Sequence, residues 1–185
     1  MRSIFTVHAG EFLVGQHIER EFKGKEKKNV WVPTKDTGVD LLITNQGNTK
    51  ALSLQVKFSK DFLPMMKLAP AVQRELRACS WFTLDRKKIE HSSADLWIFV
   101  LAGFAKRSYD HAVIKPAELL KRLNALETGS QKLLQTYIWV TEHRRCWLTR
   151  GLSKAEQEGI AKNTFAHPGR DLTAYLNDWS LIQSL

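Results

Sequence analysis

Four side chains in the first third of the chain, Glu11, Asp40, Gln55 and Lys57, are of types that together can hold a divalent cation and act on a phosphodiester. Hydrolysing that bond needs a hard cation to polarise a phosphoryl oxygen and activate water, and Mg2+ is commonly held by one or two carboxylates plus waters and substrate phosphate. Asp40 lies amid Val39, Leu41, Leu42 and Ile43, and Glu11 falls on the apolar side of a helical pattern with Val14, Gly15, Ile18 and Phe22. Both carboxylates are therefore expected where burial is costly unless something compensates the charge, and a metal ion compensates it. Gln55 and Lys57 sit two residues apart in a strand pattern, so their side chains share a face about 6.6 Å apart. There Lys57 could orient the nucleophile or stabilise the pentacovalent transition state, while Gln55 could lend its amide oxygen to the ion. Taken singly, Asp40 could cap a turn and Lys57 could snorkel from a strand edge. A buried Glu–Lys ion pair would account for two of the four, but not for Asp40 or for the order of three elements.

The elements that must position these residues follow from hydrophobic period. Residues 6–22 read as a helix with Thr6 as N-cap. The charged run Lys23-Gly24-Lys25-Glu26-Lys27-Lys28 breaks that pattern and reads as a solvated turn, with contact to nucleic-acid phosphate as the alternative. Residues 29–33, 39–44 and 50–58 read as strands of a meander, with Gln46-Gly47-Asn48 supplying turn chemistry. In the third of these, Leu52, Leu54, Val56 and Phe58 share one face, and Ser53, Gln55 and Lys57 the other. Residues 70–90 read as helical in part, with Val72, Leu76 and Cys79 or Ser80 in register. The unbroken run 96–102 reads as a buried central strand and 111–114 as another short strand. Pro116 suits the first position of a helix carrying Leu119, Leu120, Leu123 and Leu126, which leads back to the sheet. Residues 137–140 and 146–148 flank Thr141-Glu142-His143-Arg144-Arg145 as a hairpin with a basic tip. Ser153 and Glu156 form a capping box opening a helix through about Lys162, and His167-Pro168-Gly169 breaks the chain. A final amphipathic helix is expected, with Leu172, Tyr175, Leu176 and Trp179 on one face; that face reads as core, with a dimer seam as the alternative.

A chain of 185 residues with 43% hydrophobic content can bury a sizeable core, so one domain over residues 1–185 is expected, with residues 150–185 a helical extension packed on it. Lys and Arg number 28 against 19 Asp and Glu, a formal net charge of +9, which favours a polyanionic partner and nucleic acid first. Cys79 and Cys146 stand far apart without zinc-ligand spacing, and the histidines show none either, so neither a disulfide framework nor a zinc site is indicated. The apolar run after Glu11 is too short for a signal-peptide core, and no stretch reaches membrane-spanning length, so no membrane association and a cytoplasmic location are expected.

The motifs Gly10-Glu11 on the first helix, Gly38-Val39-Asp40-Leu41-Leu42, and Leu54-Gln55-Val56-Lys57-Phe58-Ser59 resemble those of the PD-(D/E)XK nuclease superfamily. In that family a helix supplies a glutamate, a strand the metal-binding Asp, and the adjacent strand the (D/E)-x-K motif. The resemblance implies a restriction-endonuclease-like α/β fold, with a mixed central β-sheet flanked by helices. It puts catalytic roles on Glu11, Asp40, Gln55 and Lys57, with metal ligation by Glu11, Asp40 and Gln55. The implied activity is that of a Mg2+-dependent DNA endonuclease, with Mn2+ as substitute, in restriction, defence or mobile-element DNA processing. The chain departs from the pattern at Val39, where the family has proline, and at Gln55, where it has an acid. Q-x-K sites of this kind are similar to those of some homing endonucleases and transposon-end nucleases that retain the helix glutamate, as Glu11 does here. The second departure keeps open a non-catalytic DNA-binding or assembly subunit on the same fold. His8 and Gln16 beside Glu11 are candidates for contact with substrate phosphate, with a plain capped helix start as the favoured alternative, and Lys106, Arg107, Arg144 and Arg145 are candidates for phosphate contacts only. Cutting a duplex asks for two active sites, which suits a homodimer, while a nickase or a partnered subunit is equally compatible.

Overall fold

In a computed structural model describing residues 3–35, 37–103, 108–126 and 131–185, the N-terminal helix α1 runs Ser3–Glu21. It starts ahead of Thr6, which is therefore an interior helical residue and not the N-cap. Three strands follow as expected, with shifted bounds: β1 Lys28–Trp31, β2 Leu41–Asn45 and β3 Ala51–Ser59. They pair antiparallel in chain order. Strand β3 then pairs parallel with β5, Leu96–Gly103, and β5 pairs antiparallel with β6, Ser108–Ile114. Among the described residues this gives a mixed five-stranded sheet of order β1-β2-β3-β5-β6.

Side-chain alternation sorts the sheet into two buried faces. Leu54, Val56, Leu96, Ile98 and Val100 pack with Val14 and Ile18 of α1. Trp97, Phe99 and Leu101, from the same unbroken β5 run, point the other way into a second core. A strand covered on both faces needs no polar alternation, which is why that run is apolar throughout.

What covers the second face is a further sheet. Strands β4, Leu76–Asp85, β7, Leu133–Thr141, and β8, Cys146–Leu148, form a three-stranded antiparallel sheet of order β4-β7-β8. Ala78, Phe82 and Leu84 of β4 join Leu134, Ile138 and Val140 of β7 against Trp97 and Phe99. The helical reading of residues 70–90 is thus corrected. Helix is confined to α2, Pro70–Glu75, and α3, Arg86–Glu90, and the ten residues between them are strand. Alternation of buried and outward residues from Phe82 to Asp85, and the β-forming Trp81, Phe82 and Thr83, outweigh the coincidental helical spacing of Val72, Leu76 and Ser80.

Helix α4, Pro116–Leu126, buries Leu119 and Leu123 in that core. On the outer side of the second sheet, Cys79, Trp139 and Trp147 pack with Val72, Leu152 and Ile160. Ile160 belongs to α5, Lys154–Ala161, whose Ser153/Glu156 capping box is formed as expected. Both cysteines are free and buried, and burial pushes the Cys79 thiol up to about 12 and the Cys146 thiol further, so neither serves as a thiolate at neutral pH.

The expected final helix is also corrected. Residues 172–179 contain only a 3-10 turn, Thr173–Tyr175, and a short helix α6, Ser180–Gln183, follows. Leu172, Tyr175 and Leu176 pack on one core and Trp179 on the other. They bind as a strap, not as one helical face. No helix of the described residues is long and apolar enough to cross a membrane.

Candidate active site

Asp40 stands one residue before β2, after Gly38, whose φ of +82° is a conformation that favours glycine. Its backbone N–H donates to the Leu54 carbonyl at 2.8 Å. Its carboxylate does not cap its own turn. Instead Oδ2 accepts from the Val56 N–H at 2.6 Å and from Gln55 Nε2 at 2.5 Å. The structure therefore joins Asp40 and Gln55 directly. Because the Gln55 amide donates through nitrogen, its Oε1 is left as the oxygen that can meet a cation, and Asp40 keeps Oδ1 for the same purpose.

Lys57 lies two residues further along β3, on the same face as Gln55. In register with these two residues stand Trp97 and Phe99 of β5, and Lys57 Nζ lies 5.2 Å from the centre of the Trp97 ring. An aromatic face attracts an ammonium, so a lysine is accommodated here beside the buried Trp97 ring.

Glu11 comes from the other side of the sheet. A Cβ on Gly10 would lie 2.7 Å from Phe58 Cβ and 3.2 Å from Val56 Cγ1, so only glycine lets α1 approach β3 this closely. The next residue, Glu11, is 15% exposed at its side chain, and its Oε2 lies 3.3 Å from His8 Nδ1. His8, Glu11 and Gln16 line one pocket, whose wall includes Leu41, the residue after Asp40. The helix face bearing Glu11 packs on Leu54 and Val56, whereas Gln55 and Lys57 point away from it. Asp40, Gln55 and Lys57 thus form one group, and Glu11 with His8 and Gln16 a second, on the opposite face of the sheet.

A feature the sequence did not reveal adjoins Gln55. A cavity of about 390 Å³ is lined by Gln55 together with Lys87, Lys88, His91 and Lys132. Asp85 caps α3 by accepting from the Lys87 and Lys88 N–H groups, and Lys132 Nζ lies 3.9 Å from its carboxylate. The adjacent Lys87-Lys88 pair was visible as charge, but its distance from Gln55 along the chain hid its position. The hairpin arginines are occupied differently. Arg144 pairs with the buried Asp110 at 2.6 Å, and Arg145 with Asp171 at 2.8 Å, its guanidinium over the Trp147 ring. Lys106 and Arg107 lie outside the described residues.

Among the described residues no group of three or more His, Cys, Asp or Glu side chains is arranged to hold a metal ion. The donor set at Asp40 is of another kind, one carboxylate and one amide oxygen, with Asp85 in the cavity that Gln55 lines and Glu11 and Glu19 in the pocket beyond Leu41. Hard oxygen donors of this type suit Mg2+, which keeps several waters of its own. Together these features define a mixed α/β chain with a carboxylate–amide–lysine group beside a basic cavity. Compared with protein-family models, with curated proteins and with solved structures, the chain finds no match.

Proposed function

We propose that this chain is a Mg2+-dependent DNA endonuclease of restriction-endonuclease-like fold, with Mn2+ as a working substitute. The observation that carries the reading is the clasp of Asp40 to Gln55 and to the Val56 N–H, two residues before Lys57 and at the wall of a cavity rimmed by Lys87, Lys88 and Lys132. A divalent ion bound there would supply Lewis-acid polarisation of the phosphate and a water of lowered pKa. Asp40 and Gln55 offer oxygens to hold it, and Glu11 offers the negative charge that Gln55 lacks. Lys57 orients the attacking water or neutralises charge developing on phosphate, and the cavity lysines hold the flanking phosphates. A cytoplasmic location, a role in restriction, defence or mobile-element DNA processing, and a homodimer or partnered assembly for duplex cutting go with this reading.

The test incubates purified protein with a panel of plasmid, nicked and branched DNA in Mg2+ or Mn2+, alongside Asp40→Ala, Lys57→Ala and Glu11→Gln. Metal-dependent cutting that all three variants abolish is expected; equal cutting by the variants overturns the assignment. One observation favours a second reading, a non-catalytic DNA-binding subunit: Asp40 Oδ2 is already satisfied by two N–H donors without a cation. Salt-dependent DNA binding that survives Asp40→Ala, with no divalent ion taken up by the wild type, would select it.

A further inference from the structure

The outer face of the second sheet carries an exposed ring, Trp81, beyond the partly buried Phe62 and Tyr137 that pack against its core. On that face β4 and β7 set Cys79 beside Trp139, Trp81 beside Tyr137, Thr83 beside Gln135 and Asp85 beside Leu133. Cys79 and Trp139 lie under the residues of α2 and α5. Beyond them the cover stops: Trp81 is 37% and Leu133 50% exposed, and Thr83 and Gln135 are exposed between them. Phe62 stands edge-on to Trp81 at 5.7 Å and to Tyr137 at 6.5 Å, and the Trp81 and Tyr137 rings lie 6.4 Å apart at 32°. The three rings brace one another, with Trp81 outermost.

Charge selects the occupant. Lys60 Nζ sits 5.1 Å over the Phe62 ring at one end of the patch. At the other end Lys132 directly precedes Leu133 and rims the cavity that holds Gln55, with Lys87 and Lys88. From Asp85 to Trp81 is four strand residues, about 13 Å, so the rings continue the basic cavity outward. The nearby acids are engaged: Asp61 is buried and accepts from the Leu63 N–H, and Asp85 caps α3. Rings flanked by Lys60 at one end and, at the other, by Lys87, Lys88 and a Lys132 only loosely paired with Asp85 at 3.9 Å suit a chain of phosphates and flat bases. A duplex hides its base faces in its own stack, whereas an unpaired strand offers them to aromatic side chains.

We propose that Trp81, braced by Phe62 and Tyr137, is a base-stacking platform for an unpaired nucleic-acid strand running from the cavity at Gln55 toward Lys60. The proposal rests on the nucleic-acid reading of that cavity. The experiment measures fluorescence anisotropy of labelled oligothymidine, a blunt duplex and a duplex with a single-stranded overhang, in EDTA so that nothing is cut. Trp81→Ala should weaken binding of the single strand and the overhang about 5- to 150-fold, the range for loss of one stacked base, and leave the blunt duplex unchanged. Trp81→Phe should recover most of the loss, since it keeps a ring. Unchanged blunt-duplex affinity in Trp81→Ala also certifies that the variant is folded. Wild-type single-strand affinity in Trp81→Ala overturns the platform and leaves the nuclease reading standing. Absence of binding to any of the three probes by the wild type overturns both. A loss of self-association in Trp81→Ala, with oligonucleotide binding intact, overturns the platform in favour of a protein contact.

Discussion

Exchanging Gln55 for glutamate replaces one NH2 by an oxygen, at a position where that nitrogen lies 2.5 Å from Asp40 Oδ2. Two costs follow when no cation is present. The hydrogen bond to a charged acceptor is lost, about 1.5–3 kcal/mol, and two carboxylates are brought together, about 4 kcal/mol at 4 Å for a partly solvated pair. Rotation of the new side chain and proton uptake relieve part of this, so a net destabilisation of about 3 kcal/mol is expected at pH 8. For a chain of this length that lowers Tm by about 6–12 °C. The pH dependence has a definite sign: neighbouring carboxylates raise the pKa of one of them, an acid raised in the folded state costs stability above that pKa, and the cost disappears as pH falls below it. The Tm deficit of Gln55→Glu should therefore be large at pH 8 and small at pH 5. Mg2+ should reverse it, because a cation is stabilised by the charge that the apo protein finds costly, and each tenfold gain in affinity adds about 1.4 kcal/mol under saturating metal. Thermal melting in EDTA and in Mg2+ at both pH values reads all of this. Adding Asp40→Asn should erase the penalty. Wild-type melting of Gln55→Glu in EDTA at pH 8, or no larger response to Mg2+ than the wild type gives, would refute a shared cation site for Asp40 and Gln55.

Gly10→Ala puts a methyl 2.7 Å from Phe58 Cβ; an overpacking cost of about 1–3 kcal/mol is offset by about 1 kcal/mol of helix propensity, so Tm should fall by no more than about 8 °C. Displacement of Glu11 by the shifted helix should nevertheless lower cleavage about 100-fold, which rate and melting measured side by side would reveal. His111 is buried against His17 and Trp179, and burial first, then the His17 ring, pushes its pKa down to about 4. A histidine depressed in the folded state contributes no penalty above its unfolded pKa and destabilises as pH falls from about 6.5 toward 4, by about 3 kcal/mol in full. His111→Leu should flatten this acid limb in melts taken from pH 7 to 4; the difference from wild type isolates His111 from Arg20, Asp110 and the other titrating neighbours. Asp110 is 2% exposed and pairs with Arg77 and Arg144, so Asp110→Asn should cost about 3–5 kcal/mol in denaturant unfolding, and Arg144→Ala, whose side chain is 57% exposed, distinctly less.

Much of the first sheet was legible because its period is local. The alternation in β3 places Gln55 and Lys57 on one face without knowledge of any partner, and the β5 run announces burial on both sides. The second sheet was not legible, since β4 finds its partner β7 only after β5 and β6 have been laid down, and until then Val72, Leu76 and Ser80 fit a helix as well as a strand. The end of the chain fails for a different reason. Leu172, Tyr175, Leu176 and Trp179 have helical spacing, yet the backbone groups a helix would use are committed elsewhere. The Leu172 N–H donates to the Cys146 carbonyl at 2.8 Å, the Asn177 N–H donates to the His111 carbonyl, and Leu176 bridges to Ala112. Asn177, at φ 54°, also sends its amide to Asp110. Tertiary hydrogen bonds outcompete local ones where both satisfy the same donors. The four residues of the candidate site were readable as types at a spacing; the lysines that make their surroundings basic were not, because Lys87, Lys88 and Lys132 reach Gln55 only through the second sheet.

The division of the site between two faces of a sheet has its explanation in where β1 stops. Its last pair with β2 is Trp31 with Leu42, so Leu41 and Asp40 lie beyond the end of the neighbouring strand and are held on one side only, by Leu54 of β3. Side chains alternate there, Leu41 toward α1 and Asp40 toward Gln55. In a fully paired sheet those two directions would be sealed from each other by backbone. At the open end of a strand that backbone is missing on one side. Under the proposed function, a helix on one face would contribute to a centre whose lysine lies on the other, and Gly10 would matter for it: the closer α1 lies on β3, the shorter the reach from Glu11 around the end of β1. For the proposed cation the missing charge at Gln55 would make that reach consequential, because an ion held by a single carboxylate and an amide is weakly neutralised, and Glu11 is one of two acids on the adjoining pocket wall.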